Sequence, residues 1–194
     1  MRIVPVILQL AAALSLSACG INSIPTKEEG VNAAWGEVEN QYQRRADLIP
    51  NLVATVQGFA KQEQEVLVGV TEARARATQT TISAGDLNDP AKVAAFSQAQ
   101  DGLSSALSRL MVVVEKYPEL KSDQNFLALQ SQLEGTENRI AIARRDYNEA
   151  VRLYNVEIRT FPAIIAARTI YGSEPKVPFK ATAANAETAP TVTF

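Results

Sequence analysis

Trp35-Gly36-Glu37-Val38-Glu39-Asn40-Gln41-Tyr42-Gln43-Arg44-Arg45-Ala46-Asp47-Leu48-Ile49-Pro50-Asn51-Leu52-Val53 carries apolar side chains at Trp35, Val38, Tyr42, Ile49 and Leu52. Their intervals of three, four and seven put them on one face of an α-helix. Val31 extends the stripe upstream; Val56, Phe59, Val66, Val70, Ala73 and Ala77 extend it downstream on one heptad seam. Two positions interrupt it. Arg45 is covered by the neighbouring Ala46, and Glu63 reads as a polar contact inside a bundle. The pattern predicts one long helix from about residue 27 to about residue 82, opened by a capping box at Thr26-Lys27-Glu28-Glu29. Pro50 falls inside it and removes a backbone donor, at a cost of about 3 kcal/mol in a regular helix. The heptad phase passes through Pro50 unbroken, so the expectation there is a kink and not a hairpin.

Two further long helices follow. Asp89 caps a helix with Pro90 at its first position, carrying Val93, Phe96, Leu103, Leu107, Leu110, Val114 and Tyr117 and stopping before Pro118. Ser122 or Asp123 caps the next, which runs to about Thr160 with Leu133, Ile140, Tyr147, Tyr154 and Phe161 spaced by seven. Pro162 opens a short last helix that ends near Tyr171, with Gly172 as its stop. Amphipathic helices with short connections bury their stripes against one another. The predicted fold is all-α: an elongated antiparallel helical bundle of three long, coiled-coil-like helices plus a short C-terminal helix, four-helix-bundle-like, over residues 26–172. Residues 173–194, rich in Ala, Thr and Pro, read as a flexible tail.

The beginning of the chain has a different character. Met1-Arg2 is followed by an apolar run over residues 3–16, and then by Leu16-Ser17-Ala18-Cys19. A charged start, a short apolar stretch and small residues before a cut describe a secretory signal, here residues 1–18. The run is shorter than the roughly 20 residues that span a bilayer. Leu-Ser-Ala-Cys resembles a bacterial lipobox, in which the cysteine becomes the acylated N-terminus; Cys19 is the sole cysteine of the chain. Residues 19–25 then form a lipidated linker, and the membrane is engaged through acylated Cys19. This predicts a membrane-anchored protein on the periplasmic face of the cell envelope, with Gly20 favouring the outer membrane if the host is Gram-negative.

Four stretches resemble the LemA family. They are Trp35-Gly36-Glu37-Val38 leading into Tyr42–Val53; Val70-Thr71-Glu72-Ala73-Arg74-Ala75; Tyr117-Pro118-Glu119-Leu120 with Phe126; and Arg144-Arg145-Asp146-Tyr147-Asn148 with Tyr154-Asn155 and Phe161-Pro162. The resemblance implies a helical bundle held at the bacterial envelope by its N-terminal segment, with no established enzymatic activity. Most members use a membrane helix where this chain has a lipobox. By the same analogy the partners are other envelope proteins, a TPM-domain protein or a membrane metalloprotease.

Composition narrows the chemistry. The chain has no histidine, which removes the commonest general base and the commonest neutral metal ligand. No paired catalytic motif, zinc signature or phosphate loop stands out, so no enzyme activity, metal or cofactor is expected. Formal net charge is −2 with no basic block, against nucleic-acid binding. The best candidate partner-binding residues are Arg44, Arg45, Asp47, Pro50 and Asn51, because Pro50 frees a carbonyl near Ala46 among charged neighbours. The other reading of these charges is that they satisfy the broken helix and fix its bend. Tyr147-Asn148 and Tyr154-Asn155 form either a binding stripe or core tyrosines with register-setting asparagines. Glu137, one heptad before Arg144, reads as its ion-pair partner. The functional expectation is a lipid-anchored, non-enzymatic scaffold or adaptor for envelope assemblies, which a homo-oligomer would suit. The alternative is an envelope sensor binding a small ligand near the Pro50 kink.

Overall fold

The computed structural model describes residues 21–180. The expected signal segment, Cys19, Gly20 and residues 181–194 lie outside the described residues. Within them the chain is all-α, and its elements are α1 (Ser23–Phe59), α2 (Gln64–Gln79), a 3₁₀ turn (Ala84–Asp86), α3 (Pro90–Val114), α4 (Pro118–Lys121), α5 (Gln124–Glu157) and α6 (Ala163–Ala166), which runs into a π turn (Ala167–Tyr171). The long helix α1 lies along α5, and α2 along α3. Among the described residues no helix is long and apolar enough to cross a membrane.

The single first helix expected over 27–82 is in fact two helices. The chain continues helically through Pro50, as the unbroken phase predicts, and reverses later, at Ala60–Glu63. The seam concealed this because both arms bury the same kind of stripe: Ile49, Leu52 and Val56 on α1, then Leu67, Val70 and Ala73 on α2. Glu63 marks the reversal. It is the N-cap residue of α2, and its carboxylate accepts from the Tyr117 hydroxyl at 2.9 Å. The first helix also starts earlier than the capping box suggests, at Ser23. Thr26 does not cap; its hydroxyl donates back to the Asn22 carbonyl. Pro25 is harmless there, since first-turn N–H groups have no intrahelical acceptor.

Other boundaries follow local chemistry. Asp89 accepts from the Ala91 and Lys92 amides, and Asp123 from that of Phe126. Gly172 adopts φ 57°, and the Ser173 amide reaches back to the Ala167 carbonyl, closing the last turn. The core has two halves. One gathers Ile24, Trp35, Phe96, Tyr147, Tyr154 and Ile158; the other gathers Ile49, Val56, Val70, Leu103, Leu110 and Phe126.

The expected tail begins too early. Residues 173–180 fold back as an extended strap along α5. Asn155 donates to the Lys176 carbonyl and accepts from its amide, at 2.8 and 2.9 Å. Asn148 does the same for Phe179, at 3.0 and 2.8 Å. Tyr147 donates to the Val177 carbonyl, and the Val177 amide donates to Leu87. The spacing has a geometric cause. Seven residues of helix advance about 10.5 Å, and three residues of extended chain advance about 10 Å. A heptad repeat of Asn therefore meets a strap at every third residue, running antiparallel. Pro175 and Pro178 occupy positions where no amide is required. Phe179 closes the arrangement, 6% exposed, with its ring stacked against Trp35 and set edge-on to Tyr147. The Tyr-Asn repeat is thus core tyrosine plus asparagine, but the asparagines hold a strap and not helix register.

Asn148→Ala removes both partners of the Phe179 main chain at once. It should destabilise the domain by about 1–3 kcal/mol, and the loss should largely vanish in a chain truncated after residue 175. Urea unfolding of the four proteins checks this; equal losses in both backgrounds would disprove the clamp.

Candidate functional site

The two core halves meet at a polar layer. Arg45 lies on the apolar seam of α1 and is 1% exposed. This departs from the expectation that Ala46 covers it: both residues are buried. Its guanidinium donates to Ser104 Oγ at 2.8 Å, to Glu137 at 3.0 Å, and to the Gln100 side chain and carbonyl at 2.6 and 3.2 Å. It also lies 5.0 Å over the Tyr42 ring. Gln100 passes the connection on by donating to the Ala77 carbonyl. One arginine thereby engages α3 and α5 directly and α2 through Gln100. Glu137, expected to pair with Arg144, pairs with Arg45. Arg144 instead lies over the Phe179 ring, at 4.7 Å, and donates to the Lys180 carbonyl. Nearby, burial pushes the Asp101 carboxyl up, against the pull of Arg144 and Arg45.

Pro50 is one turn further along α1. Lacking an amide, it leaves the Ala46 carbonyl without its helical donor. Arg74 of α2 takes that place, with Nε donating to the Ala46 carbonyl at 2.7 Å. The proline and the arginine are therefore two halves of one contact that ties α2 to α1. Sequence reasoning located the freed carbonyl but not its partner, because Arg74 faces Ala46 only after the reversal at Ala60–Glu63.

The five candidate residues divide accordingly. Arg45 is internal. Arg44, Asp47, Pro50 and Asn51 are exposed. Arg44, Asp47 and Asn51 stand at intervals of three and four, so they share a stripe on the outer face of α1. Gln43 donates to Asp47 along it, and Thr55 donates to the Asn51 carbonyl. The cleft beside Ala46, one turn before Pro50, holds about 100 Å³ between Tyr42, Ala46, Ala77 and Gln100. Ligand pockets typically run about 300–1,000 Å³, so this one admits little more than water. Among the described residues no group of three or more His, Cys, Asp or Glu is placed to hold a metal ion.

Two outcomes follow. Arg45→Ala should cost about 3–5 kcal/mol, while Arg45→Met with Gln100→Leu should recover most of that, read as urea midpoints. Arg74→Ala should cost about 1–3 kcal/mol in the native sequence and clearly less beside Pro50→Ala, where a residue-50 amide supplies the donor; equal costs would show that the two are uncoupled.

Known proteins share this arrangement of sequence. Similar chains include Magnetosome protein MamQ 2 and Magnetosome protein MamQ 1 of Paramagnetospirillum magneticum, each 29% identical over 172 residues, which cover 80% of this chain and 63% of theirs. Magnetosome protein MamQ of Magnetospirillum gryphiswaldense is 27% identical over the same span and shares. The chain thus covers just under two thirds of the length of these relatives. The LemA family profile matches residues 34–194, which include most of α1, all of α2, α3 and α5, and the strap, and the chain belongs to the LemA family.

Proposed function

We propose that this protein is a lipid-anchored, non-enzymatic scaffold or adaptor of the bacterial cell envelope. The observation that carries the reading is how the fold uses its polar groups. Arg45, Arg74, Asn148 and Asn155 are all committed to internal contacts. What the helices leave outward is the stripe of Arg44, Asp47 and Asn51 and scattered apolar side chains such as Val68, Val112, Leu127 and Ile142. A rod about 56 Å long, from the 37 residues of α1, with polar and apolar contacts on its outside suits docking more than turnover. Cys19, in Leu-Ser-Ala-Cys, supplies the anchor. Membership of the LemA family agrees with an envelope setting, and magnetosome-named relatives agree with a role at a membrane. By family analogy the partner is a TPM-domain protein or a membrane metalloprotease.

A photoreactive residue at position 51, in membranes, should give one discrete adduct with another envelope protein. The same probe at Ser105, exposed on α3, should not. Identical adduct patterns from both positions, or none from position 51, would remove the stripe as the docking face. Intact mass should show diacylglycerol on the native chain and none on Cys19→Ser.

A further inference from the structure

One end of the bundle carries a concentration of exposed apolar side chains that the fold does not use. Phe161 is 82% exposed, Ile170 61% and Ile165 57%, and Tyr171 is also exposed. All four follow α5: Phe161 in the turn before α6, Ile165 in α6, and Ile170 and Tyr171 in the π turn.

This end is fixed to the start of α1. Ser23 Oγ donates to Glu157 at 2.5 Å, and Lys27 pairs with the same carboxylate at 2.8 Å. Beneath them Ile24, Ile158, Ala163, Ala166 and Ala167 share one core, and Ile21 packs against it. Cys19 precedes Ile21 by two residues, no more than about 7 Å of extended backbone. A membrane attachment through the N-terminal segment would bring this end of the rod to the bilayer. The remote end cannot take that place: Leu127, near the start of α5, is about 45 Å along the helix from Glu157.

Charge agrees with the same surface. Arg159 and Arg168 are exposed and form no ion pair among the described residues. Glu157 is occupied by Lys27, and Glu28 by Lys176. Exposed aromatic and branched apolar residues flanked by free arginines match an anionic lipid surface.

We infer that Phe161, Ile165, Ile170 and Tyr171 form a second membrane contact, inserting into the headgroup boundary of an anionic bilayer while Arg159 and Arg168 face its phosphates. The contact rests on the N-terminal anchor for its orientation. With the anchor it makes two points of attachment, so the rod stands in a set pose and does not swivel on a flexible tether.

The test uses the full chain, purified from membranes and reconstituted into phosphatidylethanolamine–phosphatidylglycerol vesicles. Phe161→Trp is compared with Leu127→Trp over the constant background of buried Trp35. Apolar faces of this kind settle about 5–10 Å into the boundary, so lipids brominated at shallow acyl positions should remove roughly half of the added emission at position 161. They should leave position 127 unchanged. Intact mass is read on the same samples. Acylated protein without selective quenching at 161 overturns the contact and leaves the anchor standing. If Cys19 carries no lipid, the anchor fails. The same quenching is then read on purified chain added to vesicles, where selective loss at 161 supports the contact and its absence overturns it. A blue shift of Phe161→Trp without vesicles, with a doubled mass in sedimentation, assigns the patch to a second copy and also overturns it.

Discussion

The buried guanidinium of Arg45 is the constraint on which the packing of the bundle depends. A cation in an apolar seam is unfavourable unless its donors are met, and here the acceptors for its two terminal nitrogens come from two helices, while Nε is buried without a partner among the described residues. Ser104 and Gln100 belong to α3 and Glu137 to α5, while Gln100 in turn holds the end of α2. An apolar stripe lets a helix slide by a turn at modest loss. A forked cation with acceptors on separate helices does not, since a shift of one partner strands the rest. The layer also lies where the two core halves meet, so it sets the register of both.

Around that point the molecule repeatedly meets a deficit in one element with a surplus in another. Pro50 withholds an amide and Arg74 supplies the donor from the neighbouring helix. The strap has main-chain groups with no sheet to join, and two asparagine side chains of α5 serve as its ladder. Each device joins segments far apart in sequence, so none could be assigned to its partner before the topology was known.

That separates what the sequence made legible from what it did not. The long helices were legible, because burial on one side imposes the three-four spacing that α1, α3 and α5 display, whereas the four-residue α4 is too short to show any spacing. The caps at Asp89 and Asp123 were legible because capping is a local hydrogen bond. The reversal at Ala60–Glu63 was not: it lacks proline and a left-handed glycine, and a heptad seam reads alike whether a chain continues or doubles back. Lys61-Gln62-Glu63-Gln64-Glu65 was the available signal, five polar residues in a row across the seam. Arg45 was misjudged for a related reason. On a one-dimensional pattern a charged residue interrupts a stripe, whereas in the packed molecule it is part of the stripe. For the candidate stripe, the exposure of Arg44, Asp47 and Asn51 followed from phase, but the tether between Ala46 and Arg74 depended on the hidden hairpin.

The strap has a consequence for how this region can vary. Asn148 and Asn155 grasp main-chain atoms, which every residue shares, so these four hydrogen bonds do not depend on which side chains occupy positions 176 and 179. Side chains add to the hold at Phe179, whose ring lies against Trp35 and Arg144, and at Lys176, which is buried and pairs with Glu28 at 3.0 Å. Substitution at the exposed Pro175 therefore leaves those bonds in place, whereas a change at Lys176 gives up its ion pair with Glu28 and leaves only the main-chain bonds at that position. The enduring trace of the contact is written on the other side of it, in two asparagines seven residues apart, each following a buried tyrosine.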